Sequence, residues 1–127
     1  MNVLLSIKPE FALKIFNGSK RFEFRRSIFK NQDIKKVIVY ASHPVGKVIG
    51  EFEIEDILHD ELPILWSKTK NHSGTSEENF KKYFSNKSKG YAIQIKNAEL
   101  YDEPKPLDSL GMRYSFPLPQ GGSLIWY

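Results

Sequence analysis

The spacing of apolar side chains changes abruptly within eight residues near the start of the chain, Gly18-Ser19-Lys20-Arg21-Phe22-Glu23-Phe24-Arg25. Before this octet, apolar side chains recur at helical spacing behind Pro9, and proline is favoured in the first turn of a helix. After Gly18 the spacing changes to two, which separates aromatic from charged side chains as on the two faces of a strand. Glycine readily adopts the left-handed turn that ends a helix. The octet therefore predicts a short helix that passes through a glycine turn into a strand.

The rest of the chain alternates short apolar runs with polar turns, and most runs have the spacing of strands. Gly50 lies within a long alternating run that turns Val48, Phe52 and Ile54 inward, and glycine in a strand indicates a bulge or bend. Thr75 with a glutamate three residues later forms the pattern of a helix cap. Strands are predicted at 3–7, 21–25, 36–42, 47–57, 91–101 and 123–127, and helices at 9–16, 60–70 and from 75 onward.

These elements predict one α+β domain that covers residues 1–127. Long apolar strands with a bend-prone glycine favour a small, closed or nearly closed β-barrel of five to six strands, with two or three short helices at its ends. An open ferredoxin-like sheet is the alternative. Residues 104–127 contain proline and glycine but also many apolar side chains. We expect this C-terminal segment to form a strap packed on the barrel.

Charge is unevenly distributed along the chain, whose formal net charge is +4. Residues 14–36 carry eight Lys and Arg against two acids, whereas residues 51–61 carry six acids and no Lys or Arg. The first segment suits contact with phosphates. The absence of cysteine excludes disulfides and fits a reducing compartment, and the apolar run 3–7 is too short for a signal peptide or a membrane span. We expect a cytoplasmic protein that does not associate with membranes.

Three charged residues of the octet, Lys20, Glu23 and Arg25, are the candidate binding site. Glu23 and Arg25 are two apart on the predicted strand, so their side chains share a face, roughly 7 Å apart. A carboxylate accepts hydrogen bonds from a nucleobase edge, while Lys and Arg donate to phosphate or carbonyl oxygens. The alternative is an ordinary ion pair on a solvated face with Lys20 in solvent, since such pairs are common and stabilise little.

The octet resembles the GxKxxExR signature of the ASCH domain family, in the PUA-like superfamily of β-barrels associated with RNA. The resemblance extends to the first strand and turn, to the central strands and to the strand that closes the barrel. It covers the chain to about Leu110, on the segments Leu4-Leu5-Ser6-Ile7-Lys8-Pro9, Tyr40-Ala41-Ser42, Pro44-Val45, Val48-Ile49-Gly50-Glu51-Phe52 and Gly90-Tyr91-Ala92-Ile93. The tail departs from the family, since Gly121-Gly122 lengthen a segment that is usually compact.

The resemblance implies a binding module whose ligand is RNA, a nucleotide or a nucleoside. Lys20, Glu23 and Arg25 would meet this ligand in a cleft between the barrel and the helices, with Tyr40 and Ser42 near the wall. Arg26 would contact the phosphates as part of the basic segment.

The resemblance also raises an alternative, an enzyme that acts on RNA or on a modified nucleoside, with Lys20 as the candidate base or nucleophile. Some similar proteins hydrolyse acylated cytidine with a lysine, a threonine and a glutamate, but Glu23 occupies the threonine position here. No third carboxylate stands near His72 and Ser73 in the sequence. Others are described as ribonucleases, for which Lys20 or Lys47 with Tyr40 and Ser42 would serve if the fold brings them together.

Other patterns in the chain are interpreted as structural. The three histidines are scattered without metal-ligand spacing and no phosphate-binding glycine loop is present, so we expect no metal and no cofactor. Alternating glutamates at 51–55 are interpreted as a solvated strand face, and Phe80, Tyr83 and Phe84 as core at helical spacing. A protein-interaction domain is the third functional alternative, and no residue pattern favours it.

Overall fold

A computed structural model describes residues 2–31, 33–110 and 123–126 of the chain. Strands and helices alternate in it much as the apolar spacing predicts. In chain order the elements are β1 (Asn2–Ile7), α1 (Pro9–Phe16), β2 (Phe22–Arg25), β3 (Lys36–Ala41), β4 (Lys47–Glu61), α2 (Leu62–Thr69), a 3-10 turn (Lys70–His72), α3 (Glu77–Tyr83), β5 (Lys89–Lys105), a second 3-10 turn (Leu107–Leu110) and β6 (Ser123–Trp126).

The six strands form one mixed sheet in the order β2-β5-β4-β3-β1-β6. β1 and β3 run parallel, joined through α1 and β2, and the other neighbouring pairs run antiparallel. The prediction of a small α+β fold with five to six strands and short helices is therefore confirmed. Barrel closure is not confirmed, because β2 and β6 lie at opposite ends of the strand order and no pairing between described residues joins them.

The two longest strands, β4 and β5, are bent along each other rather than straight. Their pairing shifts register near Gly50 and at two further points, and Asn97 in β5 takes a left-handed conformation with a φ of 51°. This confirms the bulge predicted at Gly50. A Cβ on Gly50 would lie 2.5 Å from the ring of Phe16, so glycine also allows α1 to approach the sheet closely.

The bulge changes which side chains of β4 share a face. Val48 was predicted to point the same way as Phe52 and Ile54, but it packs in a different cluster, with Leu4 and Ile38. One extra residue in a strand reverses the alternation beyond it, because successive side chains point to opposite faces. The prediction was correct that Val48 is buried and wrong about its face.

Helix α1 covers one face of the sheet with its apolar stripe. Ala12 and Ile15 are fully buried in a cluster with side chains from β1, β3 and β4, and Phe11 and Phe16 pack against the same cluster. The predicted docking of this helix on a sheet is confirmed. Burying such a stripe stabilises the fold by roughly 1.5–3 kcal/mol for each large apolar side chain, which holds the end of α1 in place.

Helices α2 and α3 pack beside β2 around a cluster of aromatic rings. Phe24 of β2 meets Phe80 edge to face, with ring centroids 5.1 Å apart, and Phe84 and Leu65 complete the cluster. The cap of α3 is one residue later than predicted, because Ser76 rather than Thr75 accepts the hydrogen bond, from the backbone N–H of Asn79. β2 is thereby held between β5 and α3.

The C-terminal segment returns to the sheet at its far edge. Leu107 is buried beside Tyr40 and Val48, and β6 (Ser123–Trp126) pairs antiparallel with β1, which confirms a final strand. Residues 111–122 of the predicted strap, with Gly121-Gly122, lie outside the described residues.

Candidate functional site

Lys20 is directed inward by the turn that ends α1. Gly18 has a φ of +87°, and the backbone N–H of Lys20 donates to the carbonyl oxygen of Lys14 at 3.0 Å. The glycine turn predicted from the sequence is therefore confirmed. The next residue, Arg21, donates its N–H to the carbonyl oxygen of His72 at 2.8 Å. The chain thus enters β2 clamped between α1 and the loop that follows α2.

The ammonium group of Lys20 is buried, with the residue only 3% exposed. Its Nζ donates to the carbonyl oxygen of Ser73 at 2.8 Å and lies 4.9 Å from the ring centroid of Phe24 and 5.4 Å from that of Phe11. Burial lowers the pKa of Lys20, and the positive charges of Lys14 and Arg25 add to this effect while Glu23 opposes it. A buried lysine of this kind is a better proton acceptor than one in solvent.

The loop after α2 holds the stem of Lys20 through Gly74. This glycine has a φ of +69°, and a Cβ at its position would lie 2.7 Å from the Cβ of Lys20. Its carbonyl oxygen also accepts a hydrogen bond from Lys14 Nζ at 3.0 Å. The absence of a side chain at Gly74 is therefore what lets the loop lie flat against Lys20.

Glu23 and Arg25 form an ion pair on one face of β2, as the period of two predicted. Arg25 Nη2 lies 3.2 Å from Glu23 Oε2, and both residues are more than nine-tenths buried. Arg25 Nη2 also donates to the carbonyl oxygen of Ser6 at 3.2 Å. The alternative of a solvated surface pair is wrong for this site, because the pair is enclosed. Removing two charges from water is costly, so a buried pair is weak evidence for stability and directs attention to function.

A cavity of about 650 Å³ lies in front of these three residues. Lys20, Glu23 and Arg25 all line it, so the structure brings the predicted trio together. Its walls come from the end of β1, the start of α1, β2 and α3, with apolar surface from Ile7, Phe11, Phe24 and Phe80 and polar groups from Ser6, Glu10, Asn79 and Tyr83. The volume falls within the range of about 300–1,000 Å³ that small-molecule and cofactor sites occupy.

Some residues of the cavity were not anticipated from the sequence. Tyr83 was interpreted as core, yet it is 42% exposed and lines the cavity, whereas Phe80 and Phe84 are buried as predicted. The hydroxyl of Ser6 is buried with no hydrogen-bond partner. The loop near His72 contributes backbone carbonyl oxygens, and the further carboxylate at the cavity is Glu10. A capping pattern or a strand period carries no signal for such contacts, because they depend on how distant elements pack.

The remaining predicted site residues lie elsewhere. Tyr40 packs with Leu4, Val48 and Leu107 and is 9% exposed, and Ser42 is buried near the end of β1, where its N–H donates to the carbonyl oxygen of Ile7. Neither lines the cavity that holds Lys20. The structure therefore does not gather Lys20, Tyr40 and Ser42 around one cavity, because alternation along β1 and β3 sends Tyr40 and α1 to opposite faces of the sheet.

Arg26, the next residue after Arg25, points away from the cavity. Its Nη1 donates to the carbonyl oxygens of Tyr83 and Ser85, each at 2.8 Å. These carbonyls end α3, where cationic side chains satisfy unpaired acceptors and favour the helix dipole. Arg26 therefore fixes the end of α3 in addition to carrying charge at the surface.

In the part of the chain that the structure describes, no three His, Cys, Asp or Glu side chains cluster closely enough to hold a metal ion. No helix among the described elements is long and apolar enough to cross a membrane.

Comparisons with known proteins identify the family. The model of the ASCH domain matches residues 5–101, which include the glycine turn, the trio and the strands that hold them. The chain belongs to the ASCH domain family.

Two relatives come from Zymomonas mobilis. The chain is 34% identical over 124 residues to its ASCH domain-containing ribonuclease, covering 97% of this chain and 82% of that protein. The crystal structure of ASCH from the same organism has a similar fold, with a TM-score of 0.87 at 31% identity over 99% of this chain and 87% of that chain. The chain is also 29% identical over 111 residues to the large ribosomal subunit protein uL22 of Ureaplasma parvum, of which it spans 35%.

Proposed function

We propose that the protein binds RNA by enclosing one nucleotide in the cavity in front of β2. The observation that carries this proposal is that Lys20, Glu23 and Arg25 are all buried and all line the same cavity of about 650 Å³. Buried charges are costly unless a partner or a ligand compensates them. A concave site with apolar walls and a few convergent polar groups is the usual form of a ligand site.

The groups that line the cavity match the parts of a nucleotide. Glu23 can accept hydrogen bonds from the amino or imino groups of a base, and Lys20 and Arg25 can donate to carbonyl or phosphate oxygens. Phe11 and Tyr83 provide aromatic surface on which a base can stack. RNA recognition commonly takes this form, with an unpaired base stacked on aromatic side chains and read at its edge. Membership of the ASCH family and the ribonuclease relative support RNA as the ligand.

Binding of the four nucleoside 5′-monophosphates and of a short RNA, measured by calorimetry, tests the proposal. Glu23→Gln and Lys20→Met should each weaken binding at least about tenfold, since a charge-assisted hydrogen bond contributes roughly 1.5–3 kcal/mol. Glu55→Gln and Lys96→Met are matched controls, because these residues form an exposed ion pair elsewhere on the sheet. Equal affinities for the wild type and both cavity variants would refute the proposal.

A second candidate function is RNA cleavage, which the 34% identical ribonuclease relative favours. Burial lowers the pKa of Lys20, so in its neutral form Lys20 could take the proton of a ribose 2′-hydroxyl. The oxygen would attack the adjacent phosphorus, and the 5′-oxygen would leave with a proton, giving a 2′,3′-cyclic phosphate and a 5′-hydroxyl. The wild type should cleave RNA, whereas Lys20→Met should bind but not cleave. Resistance of RNA to high concentrations of the wild type would remove this candidate, and acylated cytidine in the same assay tests amide hydrolysis.

A further inference from the structure

A second hollow, of about 600 Å³, lies next to the cavity across the end of α3. The two are connected through the backbone, because Arg26 lines the hollow and donates to the carbonyl oxygen of Tyr83, which lines the cavity. Arg25 and Arg26 are consecutive residues of one chain segment that face these two spaces. We call the second space the basic hollow, defined by Arg26, Lys30, His59, Lys87, Lys89 and Tyr91.

The basic hollow is strongly cationic. Arg26, Lys30, Lys87 and Lys89 line it, and its described lining includes no Asp or Glu. Arg26 is held rigidly by its two hydrogen bonds to the end of α3, whereas the three lysines are exposed. One fixed guanidinium among mobile ammonium groups suits the phosphates of a flexible polyanion, which need no single geometry.

An aromatic platform lies in the same hollow. His59 of β4 and Tyr91 of β5 are direct cross-strand partners, and their rings stack with centroids 4.0 Å apart and planes 9° from parallel. The ring pair is partly open to solvent, since His59 is exposed and Tyr91 half-buried. A flat π-surface among cations is the combination with which proteins bind single-stranded nucleic acid, through base stacking and phosphate contact.

We propose that the basic hollow binds a nucleotide of the same RNA strand that flanks the one in the cavity. The base stacks on the platform of His59 and Tyr91, and the phosphates on either side contact Lys30, Lys87 and Lys89. Stacking requires an unpaired base, so the ligand is single-stranded. This inference rests on the proposed function, since it extends the strand out of the cavity around the end of α3.

The test compares ligands of two lengths, the four nucleoside 5′-monophosphates and an unstructured RNA octanucleotide that contains all four bases. Lys87→Ala/Lys89→Ala and Tyr91→Leu should each weaken octanucleotide binding about tenfold, because a stacked base and its phosphates are lost. Both should bind mononucleotides within about twofold of the wild type. The double lysine variant should also lower the slope of log K against log salt by about 1.4, or about 0.7 for each neutralised phosphate of a single strand.

Lys96→Ala/Lys105→Ala is the matched control, since it removes two exposed lysines from the same strand, β5, away from the hollow. It should leave octanucleotide binding within about twofold of the wild type. Equal losses in the two double variants, or none in Tyr91→Leu, would overturn the inference. The cavity proposal has its own readout, because it fails if Glu23→Gln binds mononucleotides like the wild type, whatever the hollow variants do.

Discussion

Arg25 and Arg26 are adjacent in the chain and have opposite environments. Arg25 is 6% exposed and paired with Glu23 inside the cavity, whereas Arg26 is half-buried, holds the end of α3 and borders the basic hollow. Successive side chains at the end of β2 therefore serve two different surfaces. In the cavity, charges are few, fixed and compensated. In the hollow they are numerous, largely exposed and of one sign.

This difference has a physical consequence for recognition. Buried groups with fixed partners can discriminate one base from another, because a wrong ligand leaves them unsatisfied. Exposed lysines attract any phosphate and are screened by salt. We therefore expect cavity variants to change affinity at every salt concentration and hollow variants to change its dependence on salt.

The largest effect is expected on breaking the buried pair. Glu23→Leu leaves Arg25 in the cavity without its carboxylate and should lower the free energy of unfolding by about 3–5 kcal/mol. Glu55→Leu makes the same chemical change in the exposed pair with Lys96 and should cost no more than about 1 kcal/mol. Urea denaturation of both variants measures the difference. Similar losses would mean that Glu23 and Arg25 behave as a surface pair.

A smaller effect is expected at the two glycines that border Lys20. Gly18 and Gly74 both have positive φ, but a Cβ at Gly18 meets nothing within 4 Å, whereas one at Gly74 meets the stem of Lys20. Gly18→Ala should destabilise by about 1–2 kcal/mol from backbone strain alone. Gly74→Ala should cost at least about 1 kcal/mol more and should weaken nucleotide binding, because it displaces Lys20. Equal stabilities and unchanged binding would show that the loop does not position Lys20.

The buried charge of Lys20 should also appear in the pH dependence of stability. Burial lowers its pKa from 10.5, so between the lowered pKa and 10.5 the unfolded chain binds a proton that the native state does not. Rising pH in this window therefore favours the native state, by at most about 1.4 kcal/mol per pH unit. The free energy of unfolding of the wild type should rise with pH relative to that of Lys20→Met. Lys96→Met, which lacks an exposed lysine, should run parallel to the wild type, and a parallel profile for Lys20→Met would contradict the prediction.

The smallest effect is expected on the opposite face of the sheet. Tyr40→Phe removes one hydroxyl from the cluster of Leu4, Val48 and Leu107, outside the cavity. Stability should change by less than about 1 kcal/mol and nucleotide binding by less than about twofold. A large loss of binding in calorimetry would show that the ligand contacts both faces of the sheet, against the separation of Tyr40 from Lys20.

Local patterns predicted most of the fold. The turn at Gly18, the period of two in β2 and the bulge at Gly50 each depend on a few neighbouring residues, and the structure shows all three. What depends on strand pairing was predicted less well. The bulge moved Val48 to the other face, and barrel closure is not confirmed, because which strands end at the edges is decided by the packing of distant segments.

The site was predictable to the same extent. Lys20, Glu23 and Arg25 share one short motif, so their convergence follows from one turn and one strand. Tyr40 and Ser42 depended on resemblance and lie outside the cavity, whereas Tyr83 and Ser6 line it without any sequence signal. Their positions follow from the docking of α3 and β1 around β2, which no local spacing encodes.

The central claim is tested most directly by an NMR titration of the isotope-labelled protein with the four nucleoside 5′-monophosphates. Backbone and side-chain signals of residues 6–11, 20–25 and 79–83 should shift in a saturable way, and Glu23→Gln should weaken the response. Shifts confined to the face that carries Tyr40 and Leu107, or none at millimolar ligand, would contradict the assignment of the cavity as a nucleotide site.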